Sequence, residues 1–176
     1  MRAALTVLVF AACVTAPKSK PEGAEFVLHL APASYGAELS TPQRITMVRE
    51  GERKSFDALL EIDADAVRVA MFGAGQTLGT LTWDGKVFTR KVSIFVPEAV
   101  TAERIITDVE LCFWPEAALR SALPAGFTLE ESAGERTLLR AGQPFATVTW
   151  NEGRKHVVLT QHAFHYALEI DSSEGQ

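Results

Sequence analysis

From residue 25 onward the apolar positions of this chain recur mostly at every second residue, the period of a strand with one buried face. In "EFVLHLAP" the large apolar side chains are Phe26, Leu28 and Leu30; in "KSFDALLEID" Phe56, Ala58, Leu60 and Ile62 share a face, with Ser55, Asp57, Glu61 and Asp63 opposite. "AVRVAMF" continues with Val67, Val69 and Met71, and "TLTWDGKVF" carries Asp84-Gly85 between two strand-like runs, a strong hairpin signal. Beyond residue 125 the pattern resumes in "FTLEES", "ERTLLRAG", "PFATVTWNEGRKHVVLTQ" and "FHYALEI", with turns expected at Ala141-Gly142 and at residues 151–153. Roughly ten short strands at this spacing predict a curled antiparallel sheet or barrel rather than a parallel α/β fold.

The period changes in "TAERIITDVELCFWPEAALRSALPAG". Ile105, Val109 and Cys112 recur at helical spacing, with Ile106 and Phe113 beside them and Glu103, Arg104, Asp108 and Glu110 on the other side. Thr101 is placed to cap this helix, and Pro115 to stop it near Trp114 and open a second one over "PEAALRSAL", which Pro124 and Gly126 end. The expected fold is therefore mainly β with a helical lid, the lid laying its apolar side on the concave face of the sheet. Such a sheet presents more inward apolar surface than one short lid covers, so either aromatic side chains plug the middle or a cavity remains. Candidate cavity walls are Leu28, Leu30, Leu60, Ile62, Val69 and Met71, with Ile105, Val109 and Trp114 from the lid. Trp114, beside a helix-breaking proline, fits a cavity gate or a core filler, and its size favours the core.

Composition narrows the class. A chain of 176 residues, 47% apolar and 22% charged, suits one folded domain, expected over residues 25–176. A formal net charge of −5 with no cluster of Lys and Arg argues against nucleic acid as a partner. Ahead of the domain, Arg2 and the apolar run at residues 5–12 read as a secretion signal, far short of the about 20 residues that cross a bilayer. "FAAC" resembles the lipobox of bacterial lipoproteins, which implies a signal peptide over residues 1–12 and acylation of Cys13 as the new N-terminus. Residues 14–24, rich in Pro, Lys, Ser and Gly, suit a solvated tether from that anchor. By the same resemblance, Val14 in place of Asp after the cysteine implies the outer membrane, facing the periplasm. Cys112 is then a lone thiol on the apolar stripe of the helix.

Reactive groups do not converge in the sequence. His162 and His165 form "HAFH", but positions three apart on a strand point to opposite faces, and His29 and His156 sit among alternating apolar residues. There is no nucleophile elbow, no Cys-x-x-Cys and no phosphate loop, so no catalytic residue, metal ligand or cofactor is expected.

Two stretches carry a wider resemblance. Gly75, Gln76, Leu78, Leu81, Trp83, Asp84 and Gly85, then Ile106, Asp108, Glu110, Leu111, Trp114, Pro115, Leu119, Arg120 and Leu123, are similar to the motifs of an uncharacterised family of bacterial lipoproteins often encoded beside aryl-polyene biosynthesis genes. Glu110 stands where that family usually has Gln, and Ile106 where it has Leu. The resemblance implies a half-open antiparallel β-barrel like those of LolA and LolB, the periplasmic carrier and outer-membrane receptor of lipoproteins, whose helical lid covers an acyl-binding cavity. It implies a lipid-anchored protein that binds an acyl-chain-bearing lipid or lipoprotein, with aryl-polyene lipids one cargo class and a LolA-like carrier one partner. Two alternatives stand beside it: a cofactor-free biosynthetic enzyme of the VioE type, which shares this architecture, and a non-binding scaffold for membrane synthases.

Overall fold

The computed structural model of the protein describes residues 26–92 and 101–173. The expected signal peptide, the lipidation at Cys13 and the tether as far as residue 24 lie outside the described residues. Within them the chain forms a half-open antiparallel barrel with a helical lid. Its strands are β1 (Leu39–Arg49), β2 (Glu52–Ile62), β3 (Val67–Gly73), β4 (Gln76–Trp83) and β5 (Phe88–Val92), then β6 (Phe127–Ser132), β7 (Glu135–Arg140), β8 (Gln143–Trp150), β9 (His156–Gln161) and β10 (Tyr166–Ser172). Between the two runs lie helices α1 (Ala102–Phe113) and α2 (Glu116–Ala122).

The ten strands make one sheet in the order β5-β4-β3-β2-β1-β10-β9-β8-β7-β6, two five-stranded meanders joined where β1 pairs with β10. β5 and β6 are left as edges, so the barrel is open between them. Three hairpins turn through two residues that both hold positive φ, Glu50-Gly51, Ala74-Gly75 and Ala141-Gly142, the geometry whose twist matches that of the flanking strands. The Asp84-Gly85 turn is longer than a two-residue hairpin. Trp83 pairs with Phe88, and Asp84 Oδ1 accepts the N–H groups of Lys86 and Val87 at 2.8 Å each, organising a four-residue loop around one carboxylate.

One expected strand is not in the sheet, and one member of the sheet was not foreseen. Phe26, Leu28 and Leu30 are buried and alternate with exposed neighbours, as a strand would. Their backbone nevertheless bonds to side chains of α1: Leu28 N–H donates to Thr107 Oγ1 at 3.0 Å and Leu30 N–H to Glu110 Oε1 at 3.1 Å. The segment is a strap lying along the lid. The strand that completes the sheet is β1, which hides its period behind Thr41 and Gln43 on the buried face and Pro42 between them. Pro42 joins as an acceptor, its carbonyl taking the Ser173 N–H at 3.0 Å.

Candidate functional site

The site is built around α1. Thr101 caps its N-terminus, the hydroxyl accepting the Arg104 N–H at 3.2 Å, and Pro115 separates it from α2. The apolar stripe read from the sequence has Asp108 and Glu110 on its solvent side; in the fold both are buried, and Ile105 and Val109 are only half-buried. The strap covers the face that carries Thr107 and Glu110, and Asp108 is enclosed against Gln161 of β9 and Tyr166 of β10. Leu111, Cys112 and Phe113 are buried too, so α1 has little free surface.

Polar groups enclosed in this way need partners. Asp108 accepts from Gln161 Nε2 at 2.6 Å and from the Tyr166 hydroxyl; burial raises its carboxyl to about 6, opposed by these bonds and by the nearby Arg104 charge. Glu110 has less help. Burial raises it to about 8, so it is a neutral acid at pH 7 whose Oε1 takes the Leu30 N–H and whose buried Oε2 has no partner among the described residues. Arg104 donates to the Phe26 carbonyl at 3.0 Å and lies 3.8 Å over the Phe164 ring.

The other end of α1 is held by two arginines from the second meander. Arg136, 1% exposed, donates to the Leu111 carbonyl at 2.7 Å, the Trp114 carbonyl at 2.9 Å and Glu131 Oε2 at 2.7 Å. Glu131 sits directly across the β6–β7 ladder from it. Arg154 donates to the Cys112 carbonyl at 2.7 Å and lies 4.3 Å from the Trp150 ring centroid. These contacts satisfy carbonyls that a helix C-terminus leaves open and set positive charge against the negative end of its dipole.

Beside this capped end opens a cleft of about 780 Å³. Tyr35, Leu39 and Trp150, each half-buried, supply its large side chains, with the buried Phe113 and Trp114 bordering it; Ser40, Thr41, Ser172 and Ser173 line the side where β1 begins and β10 ends; the turn after β8 brings Glu152, Arg154 and Lys155. Trp114 is fully buried, its Nε1 donating to Ser34 Oγ at 2.9 Å and its ring 5.1 Å from that of Tyr35. Burial raises the Tyr35 phenol, with Arg154 pulling the other way. Among the described residues no histidine or cysteine lines the cleft, and the buried Cys112 thiol is pushed far up by desolvation, which removes its nucleophilic form.

Of the nine residues expected to wall a cavity, Trp114 borders this cleft. Leu28, Leu30, Leu60, Ile62, Val69 and Met71 face inward together as their alternation requires and pack in the core, against which Ile105 and Val109 rest. Sequence reasoning missed Arg136, Arg154, Glu131 and Gln161. Three of these carried a signal: Glu131 is in phase with Leu129, Arg136 with Leu138 and Gln161 with Leu159, polar residues at inward positions. Among the described residues no three His, Cys, Asp or Glu side chains are grouped to hold a metal ion; His162 bonds Thr147 and His156 bonds Asp171.

No curated protein matches the sequence. Residues 40–174, from the first strand through the last, match the family model described as protein of unknown function DUF3261, and the chain belongs to that family.

Proposed function

We propose that the protein is a non-enzymatic lipoprotein of the outer membrane that binds an acyl-chain-bearing lipid or lipoprotein and aids its transfer or localisation, aryl-polyene lipids being one cargo class and a LolA-like carrier one partner. The observation that carries this reading is the cleft, about 780 Å³ and walled in part by Tyr35, Leu39 and Trp150, at one end of a half-open barrel. A dozen methylenes removed from water contribute about 10 kcal/mol before ordering costs, enough to hold a lipid without covalent chemistry. In this reading the cargo sits in the cleft, against Tyr35, Leu39 and Trp150, since Leu60, Ile62 and Val69 are packed in the core. Among the described residues no helix is long and apolar enough to cross a membrane, and acylation of Cys13 would supply the attachment in this reading.

Two measurements test it. Displacement of a fluorescent fatty acid by added lipids, together with mass spectrometry of small molecules that copurify, is expected to show a bound chain; a protein that copurifies with nothing and ignores the probe refutes the carrier role. Cys13→Ser is expected to move the protein from the membrane to the soluble fraction, and unchanged retention refutes the anchor.

A further inference from the structure

The charges at the cleft floor do not balance. The ion pairs of Arg136 and Arg154 both run to one carboxylate, Glu131, and they divide it unequally: Oε2 is 2.7 Å from Arg136 Nε, whereas Oε1 is 4.0 Å from Arg154 Nη2; Glu152 also lines the cleft, exposed to solvent. The negative end of α1 offsets about half a charge, shared by both guanidinium groups. Arg154 is thus an under-compensated cation inside a protein of formal net charge −5. Its side chain is 26% exposed, and it lines the cleft rather than lying sealed behind it as Arg136 does. Desolvation and the repulsion of Arg136 both push the Arg154 pKa down, the direction expected of a cation short of anions.

The backbone adds a second observation. Arg154 holds φ 53°, in the left-handed region that costs a side-chain-bearing residue about 1–2 kcal/mol. That conformation, following Gly153 at φ 71°, turns the guanidinium inward onto Trp150 and the end of α1. Gly153 and Arg154 are the paired positive-φ residues of the β8–β9 turn, as in the three other hairpins, and that turn aims the guanidinium into the cleft.

We infer that the cleft is an oxyanion site in which Arg154 takes the carboxylate or phosphate end of an amphiphile, with the tail lying along Leu39 and Trp150. This rests on the acyl-binding reading above and adds to it the chemistry of the cargo's polar end. A guanidinium stacked on an aromatic ring and already bonded through one nitrogen offers its remaining N–H groups to an oxyanion at low ordering cost. The Tyr35 hydroxyl is a second donor on the same wall.

The test is calorimetric titration of the full-length protein with palmitate, with hexadecanol as the same chain lacking the acid, with lysophosphatidate, and with inorganic phosphate. Both acids are expected to bind more tightly than the alcohol. Arg154→Gln should weaken both acids about tenfold and leave the alcohol unchanged. Ser40→Glu, an exposed position in the same cleft, should repel the acids without disturbing the bond to the Cys112 carbonyl, so the test survives if Arg154→Gln fails to fold. Equal binding of palmitate and hexadecanol, insensitive to both substitutions, overturns the oxyanion site and leaves the acyl reading standing. Binding of phosphate but neither chain, lost in Arg154→Gln, supports the oxyanion site and overturns the acyl reading; no binding of any probe overturns both.

Discussion

The two meanders of the sheet hold the lid by different means. On β2, β3 and β4 the inward side chains are Leu60, Ile62, Val67, Val69, Met71, Leu81 and Trp83, and their one polar contact is Trp83 Nε1 donating to the Leu30 carbonyl of the strap at 2.8 Å. On β6 to β10 the inward row also holds Glu131, Arg136, Gln161 and Tyr166, of which the last three bond to α1 itself. Apolar contact is non-directional and accepts a helix at several rotations. A guanidinium on two named carbonyls does not. The first meander therefore supplies area, and the second sets where α1 ends and which way it faces; the cleft stands at the end that the second meander sets.

Arg136→Ala should do the most damage. It leaves Glu131 half-paired and the Leu111 and Trp114 carbonyls without their donor, and breaking a buried ion pair by removing one partner costs about 3–5 kcal/mol. Leu60→Ala, on the first meander, should cost about 2–5 kcal/mol through a cavity, with about 3 as the central expectation. Urea denaturation reads both losses, and native fluorescence separates them. Arg136→Ala should alter emission from Trp114 and Trp150 in the folded protein, because its guanidinium bonds the backbone of one and lies 5.6 Å from the ring of the other. Leu60→Ala should leave that emission unchanged. If both variants shift it equally, the division of labour between the meanders is wrong.

The same division explains what could be read in advance. The first meander was largely legible because one face of β2 and β3 is apolar without interruption, and the break at Pro115 was legible because proline cannot continue a helix. β1 was not, since Thr41 and Gln43 occupy inward positions where a pattern reader looks for Leu or Val. The strap was mistaken for a strand because alternation reports which side chains are buried and is silent on where the backbone bonds go. Asp108 and Glu110 were placed on the wet side of α1 for a related reason. A helical period finds one dry face; here the strap dries a second around Glu110, and Asp108 is drawn in by Gln161 and Tyr166 of the sheet. The cleft residues are scattered from Tyr35 to Ser173 and meet only after the sheet has curled.

Glu110 lies between the strap and the sheet and gives the comparison a pH axis. Its folded pKa of about 8 lies above the ordinary carboxylate value, so between about pH 4.5 and 8 the folded state binds a proton that the unfolded chain has released. Stability from this group is complete below that window and falls by about 1.4 kcal/mol per pH unit as the pH rises through it. Asp108, at about 6, adds the same sign at lower pH, so the interval from pH 6.5 to 8 isolates Glu110. Glu110→Gln keeps an acceptor for the Leu30 N–H and cannot ionise. The variant should gain about 2 kcal/mol on wild type across that interval and match it near pH 4.5, measured by denaturation at fixed pH. Parallel pH curves for the two proteins would mean that Glu110 is not the neutral acid described here.

The smallest effect belongs at the N-terminus of α1, which the second meander reaches through the Phe164 ring beneath Arg104 and by no hydrogen bond to the helix backbone among the described residues. Thr101 caps that end from its own chain through one hydroxyl, in an exposed position. Thr101→Ala should cost about 1 kcal/mol, the ordinary worth of an N-cap, and the loss should be independent of pH because no charged partner is involved. Hydrogen exchange gives the sharper reading. The amide of Arg104 should exchange faster in the variant, while Trp114 N–H, bonded to the Glu110 carbonyl at 3.0 Å in the turn that Arg136 and Arg154 clamp, should stay as protected as before. A helix held mainly by apolar packing would fray evenly from both ends. One pinned by the second meander frays from Thr101 alone, and the cleft at its far end keeps its shape.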